Sequence, residues 1–224
     1  MSLISTIAST AASARPSNPH RAAGNLLFLD FETTGLLDEP GFAPLELSVV
    51  VTSPSLKILA ELGPLEISAT EEQLESISDA VKAMHDKNRL LERVREQGRP
   101  LAEVESEVIA FAEEFFPAKG EKVDNASGAY LPGTAYRGMM GAGYSVGGFD
   151  RLIVQAMMPR LHRMMDHRVL DVAGLRHAAK AWAPGFDEAA AVKLPYTHSS
   201  LDDTRYAVAL TKACVESLGT PIHG

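Results

Sequence analysis

The chain has 224 residues, a formal charge of −8, 46% hydrophobic residues and a single cysteine, a length that one domain core can fill. Its acidity argues against a protein that wraps long DNA or RNA on a broad basic surface, while leaving room for a short nucleic-acid substrate whose phosphate meets bound cations. No run approaches the ~18 to 20 consecutive apolar residues of a membrane span, and Cys214 alone excludes an intrachain disulfide and a Cys-based zinc site, so a soluble, cytoplasmic protein is expected.

Residues 1–24 are rich in Ser, Ala and Thr, with Arg15 and Arg21 and no acid before Asp30. This superficially resembles a transit peptide and is read as a flexible or loosely docked tail. Residues 26–29 form a strand apolar on both faces, which ends in Asp30-Phe31-Glu32-Thr33-Thr34-Gly35-Leu36. Alternation places Asp30 and Glu32 on one face and returns Phe31 to the core. Two carboxylates sharing a small site repel unless one takes a proton or a cation sits between them. Gly35 supplies a turn or lets a ligand approach the backbone. Residues 45–52 and 56–67 continue as β-rich runs, giving a three-stranded meander in which Glu46 is open to a role as a further site acid but is expected at a rim or edge.

Thr70 and Gln73 make a capping box for a helix running to residue 84, a second helix begins near Lys87, and Pro100 opens a third. His85, at the end of the first of these, reads as a capping or surface histidine. Residues 120–143 lack a clear period and are expected as a long excursion, closed by a strand over residues 139–146. Asp150 opens the next helix, where an acid is favoured by the dipole. A strand over residues 167–171 leads into a helix over residues 172–182; Asp187 and Glu188 are expected to be solvated. The last helix runs to residue 218, and Ser200 with Asp203 offers it a second capping box, a purely structural account of Asp203 that leaves His198 in a loop.

Three individually weak signals thus occur in order: an Asp-x-Glu pair closing the first strand, Asp150 opening a helix, and His198 followed by Asp203. Asp30-Phe31-Glu32-Thr33-Thr34-Gly35-Leu36, Phe149-Asp150 and His198-x-x-x-x-Asp203 resemble the three motifs of the DEDDh family of 3′-to-5′ exonucleases over residues 25–217. Leu45-Glu46-Leu47, Val50-Val51-Thr52, Leu91-Glu92-Arg93-Val94 after His85, Arg168-Val169-Leu170-Asp171-Val172 and Asp202-Asp203 are most similar to its oligoribonuclease branch. The chain departs from that branch at Ala80, His167 and Ala173, where tryptophan, tyrosine and serine are expected, in one extra glycine at Gly147 or Gly148, and in its longer 120–143 excursion.

The resemblance implies an α/β, ribonuclease H-like (DnaQ-like exonuclease) domain over residues 25–218, with a central mixed sheet flanked by helices and tails at 1–24 and 219–224. It implies two-metal hydrolysis of short oligoribonucleotides, down to dinucleotides, to 5′-mononucleotides. Two Mg²⁺ or Mn²⁺ ions would be held by Asp30, Glu32, Asp150 and Asp203, with Asp30 bridging, because these ions take hard oxygen ligands. His198, whose ordinary pKa suits a base near neutrality, would take the proton from the attacking water. Thr33, Thr34 and Gly35 would offer backbone contacts to the terminal nucleotide, Leu36 an apolar contact to a base, and His85 and Arg168 further substrate contacts, the last in a homodimer whose partner closes the site. Two alternatives stay open: a broader DEDDh exonuclease on single-stranded DNA or RNA ends, and an idle fold serving as a nucleotide-binding or dimerising module, against which all five catalytic positions are filled.

Overall fold

A computed structural model of the chain describes residues 18–123, 131–194 and 197–219; most of the N-terminal tail, the middle of the 120–143 excursion, Pro195, Tyr196 and the last five residues lie outside them. Strand β1 (Leu26–Thr33) is the axis. It pairs antiparallel with β2 (Pro44–Thr52), which pairs antiparallel with β3 (Ile58–Glu66), the expected meander. The chain then crosses through α1 (Glu71–Glu75), α2 (Asp79–Asp86), α3 (Leu90–Gln97) and α4 (Leu101–Glu113). A two-stranded hairpin, β4 (Lys122–Val123) with β5 (Thr134–Ala135), occupies the described ends of the excursion. Strand β6 (Met139–Gly143) then enters parallel to the other edge of β1. After α5 (Asp150–Met157) and α6 (Pro159–Met164), β7 (Met165–Asp171) adds parallel to β6, followed by α7 (Val172–Trp182), α8 (Glu188–Ala191) and α9 (Ser200–Ser217). The main sheet is ordered β3-β2-β1-β6-β7. Strand β1 thus lies between antiparallel β2 and parallel β6, and a crevice opens at its carboxyl end, where α/β sheets place ligands.

Alternation along β1 builds both layers. Leu27, Leu29 and Phe31 face a core shared with Val104 and Val108 of α4 and Ile153 and Val154 of α5. Phe28 faces the other layer, packed with Val50, Val172 and Ala179 of α7, and Ala207, Leu210 and Cys214 of α9. On that second face the strand register pairs Phe28 with Val50, then Asp30 with Ser48, then Glu32 with Glu46. The face therefore turns from apolar to acidic along its length, and α9 lies over it with its C-terminal half on the apolar part and its first turn at the acids. A bulge between Glu32 and Thr33 ends the regular ladder there and re-aims the chain at the crevice.

Several expectations are corrected. The helix read from Thr70 to residue 84 is two helices: the Thr70–Gln73 capping box forms, but Ile77 is drawn into a small core with Leu45, Leu90 and Val94, and Ser78 caps a new helix by accepting the Val81 N–H. Strand β6 stops at Gly143 because Tyr144 and Ser145 turn away, with Ser145 at φ 57°. Helices α6 and α8 were not foreseen. Asp187 caps α8, and Glu188 is not solvated but accepts from Arg176, Lys180 and Tyr206, tying α7, α8 and α9 together. Residues 18–24, part of the tail read as flexible or loosely docked, are held by Ala22 N–H to Phe115 O and an Arg21–Glu121 ion pair.

Candidate active site

A cleft of about 350 Å³ at the end of β1 is lined by Asp30, Glu32, Asp150 and His198, with Thr33, Gly35 and Leu36 on its rim. Strand alternation delivers Asp30 and Glu32 to one wall. Ligand oxygens of Asp30, Glu32 and Asp203 lie within 4.8 Å of one another. Asp150 reaches the same cleft from the first turn of α5, but one of its oxygens accepts the Phe31 N–H at 2.9 Å, which fixes its carboxylate against β1.

Asp203 is not the end of a Ser200 capping box. Ser199 is the N-cap of α9 and makes no side-chain cap. Asp203 instead accepts the Thr197 N–H at 2.9 Å and the His198 N–H at 3.1 Å, folding the preceding loop over the acids. Glu46 is no rim residue either. It is fully buried, its Oε1 accepting the Ser200 N–H and hydroxyl at 2.9 and 2.7 Å and its Oε2 meeting Arg93. The sequence offers Glu46 only as a further site acid or a rim residue, because the neutralising arginine lies on α3, 47 residues away.

The electrostatics mark a place for positive charge. Burial, then Asp150, Glu32 and Asp203, hold the Asp30 carboxyl well above the usual carboxylate range. Burial pushes Glu32 up to about 9, with Asp203, Glu46 and Asp150 adding and Arg93 opposing. Asp150 is pushed up to about 7, chiefly by burial, against the Phe31 hydrogen bond. Burial also raises Asp203, against the N–H groups of Thr197 and His198 and the His198 ring. Crowded oxygen donors that repel in a poorly solvated cleft, with the nearby arginine already paired to Glu46, fit a hard divalent cation.

The remaining expected residues divide. Thr33, Gly35 and Leu36 line the cleft, Leu36 being 59% exposed. Thr34 does not: its N–H is taken by Ala43 O, and its hydroxyl bonds Gly41 O and the Ala43 N–H. His85 is neither a surface histidine nor a side chain on the cleft wall. It is fully buried behind the wall, Nε2 2.8 Å from Thr33 O and Nδ1 3.8 Å from Glu32, and burial lowers its pKa, favouring a neutral ring that donates to the Thr33 carbonyl. Arg168 lies on β7, outside the cleft lining, and forks onto the buried Asp166. Sequence reading also missed Val81 and Met84 of α2 and Tyr144 and Phe149 beside β6, which line the cleft; the position of Tyr144 just past a parallel strand was the available signal.

No family model matches the chain. Among curated proteins it is 31% identical over 185 residues to the oligoribonuclease of Pseudomonas aeruginosa strain PAO1, covering 83% of this chain and 91% of that one. It is 30% identical over 184 residues to that of Halorhodospira halophila, covering 82% and 88%. Solved structures of E. coli exonuclease I share the fold: its complex with a dA16 oligonucleotide aligns at TM-score 0.60 and 13% identity over 87% of this chain, and its zinc-bound complex with single-stranded DNA at TM-score 0.58 over 88%. This chain spans 41% of each of those longer chains. Among the described residues no helix is long and apolar enough to cross a membrane. By its sequence relationship the chain belongs to the oligoribonuclease family of 3′-to-5′ exonucleases.

Proposed function

We propose that the chain removes 5′-mononucleotides from the 3′ end of very short RNA, down to dinucleotides, as a cytoplasmic homodimer that uses two Mg²⁺ or Mn²⁺ ions. The observation that carries the proposal is the convergence of Asp30, Glu32 and Asp203 within 4.8 Å at a cleft whose lining includes Asp30, Glu32, Asp150 and His198. Asp30, Glu32, Asp150 and Asp203 would hold the ions; when bound, such ions neutralise non-bridging phosphoryl oxygens, acidify the attacking water and stabilise the departing oxyanion.

The protein's own residues do the rest. His198 accepts the proton of the attacking water, its backbone N–H held by Asp203. Thr33 and Gly35 bring the strand end against the terminal nucleotide, and exposed Leu36 offers a base an apolar surface. Behind them His85 fixes the Thr33 carbonyl, supporting the substrate wall from the rear. Arg168, on the outer strand β7 and outside its own chain's cleft, suits the 5′ phosphate of a substrate in the partner's cleft, where a guanidinium recognises phosphate well.

Turnover of a 5′-phosphorylated RNA dinucleotide against a 20-mer with Mn²⁺, for wild type beside Asp30→Ala, tests the proposal. The dinucleotide should be turned over faster, and Asp30→Ala should lose about a thousandfold or more. Equal or faster cutting of the 20-mer would leave the broader exonuclease, the alternative favoured by the departures at His167 and Ala173. Equal rates for wild type and variant would leave only a binding module.

A further inference from the structure

We propose that Asn88, in the turn between α2 and α3, is a positioning residue that sets the orientation of His198. This rests on the reading of His198 as the general base. His198 is held at φ 57°, a left-handed conformation that a non-glycine residue keeps only where its surroundings fix it. Both of its backbone polar groups are tied. Its N–H goes to Asp203 Oδ2, and its carbonyl accepts the Asn88 Nδ2–H at 2.5 Å. The first tie comes from a side chain on α9, the helix that follows His198. The second comes from an element 110 residues away.

Asn88 is itself rigidly placed. Its Oδ1 accepts the Leu90 N–H at 3.1 Å in the first turn of α3, and Arg89 beside it takes the left-handed turn at φ 57° that starts the helix. One amide thus uses its acceptor to fix itself to α3 and its donor to hold the base loop. Helix α3 supports the same segment indirectly, since Arg93 pairs with Glu46, which accepts the Ser200 N–H and hydroxyl. The loop carrying His198 is therefore held at the histidine's own carbonyl by Asn88 and, two residues on at Ser200, by Glu46, which pairs with Arg93 of α3. A base only slightly out of line loses much of its rate, because proton transfer needs the imidazole within hydrogen-bond reach of the water.

Steady-state kinetics on the 5′-phosphorylated dinucleotide with Mn²⁺ would test this, using Asn88→Ala, Asn88→Asp, His198→Ala and the double variant Asn88→Ala/His198→Ala. Asn88→Asp keeps the acceptor for the Leu90 N–H and loses the donor to His198, so it serves if the alanine variant fails to fold. Both Asn88 variants should lower kcat about ten- to a hundredfold, leave KM within about twofold, and keep the full Mn²⁺-induced rise in Tm. In the His198→Ala background the Asn88 change should cost nothing further, because its effect passes through the histidine. A raised KM with unchanged kcat, a wild-type kcat, or a full additive loss in the double variant would overturn the positioning role. Wild-type activity in His198→Ala would instead overturn the general-base reading.

Discussion

Asp30 shows what a single side chain tells about this site. At the end of a strand whose other residues are packed on both faces, an acid is out of place energetically unless something compensates it, and that misfit made the motif legible in the sequence. Its cost should be measurable without substrate. Asp30→Asn replaces a carboxyl whose ionisation burial and the neighbouring acids oppose, so in EDTA the variant should melt higher than wild type by about 2–4 °C for each kcal/mol relieved. Added Mn²⁺ should raise the Tm of wild type and leave the variant nearly unmoved. A wild type indifferent to Mn²⁺, or an Asp30→Asn that responds equally, would speak against a cation held by Asp30. Glu46 marks the opposite case. An acid inside a β run reads as an edge residue when its strand is seen alone, and only the fold reveals Arg93 and Ser200 enclosing it.

At the scale of elements, the apolar pattern gives β1, β2, α4, α7 and α9 because each buries residues at regular places, while β3, of whose residues only Leu65 is buried, is legible from its β-rich composition. The pattern fails where tertiary contacts interrupt or add structure. Ile77 splits α1 from α2 by entering a core made with α3, and α8 exists because Glu188 is captured by its neighbours rather than by any period of its own. That capture is testable by pH. Burial by itself would raise the Glu188 carboxyl, but hydrogen bonds from Tyr206, Arg176 and Lys180 override it and hold the group at about 2, against an ordinary 4.5. The folded pKa is depressed, so this stability is present above 4.5 and lost as pH falls through 2. Glu188→Gln should therefore be less stable than wild type by about 2 kcal/mol at pH 7, with the two melting curves converging between pH 4.5 and 2. A gap that stays constant with pH would show that the charge does not matter. The candidate site was legible at this scale because its acids close or open regular elements, whereas the burial of His85 and the clamp on His198 depend on how α2 and α3 dock, which no local pattern records.

For the whole molecule, the topology sets β1 between an antiparallel and a parallel half of the sheet, and one face of that sheet passes from an apolar core to an acidic cleft under a single helix. The net charge of −8 is in keeping with a surface that does not track long polyanions, and a substrate of few phosphates would be held by cations at the cleft and by an arginine from outside it. Arg168 binds Asp166 on the outer strand, away from its own cleft, so the substrate role proposed for it requires a second copy. Light scattering behind size exclusion should give a mass twice the 24.0 kDa of one chain, and Arg168→Ala should raise KM for the dinucleotide about tenfold or more while keeping the Mn²⁺-induced rise in Tm. A monomer with full dinucleotide activity would remove that role. The most direct measurement is anomalous diffraction from crystals soaked in Mn²⁺ with a dinucleotide: two manganese peaks within about 4 Å of each other, enclosed by Asp30, Glu32, Asp150 and Asp203 with His198 facing the scissile phosphate, are predicted, and a cleft without manganese at saturating concentration would contradict the account.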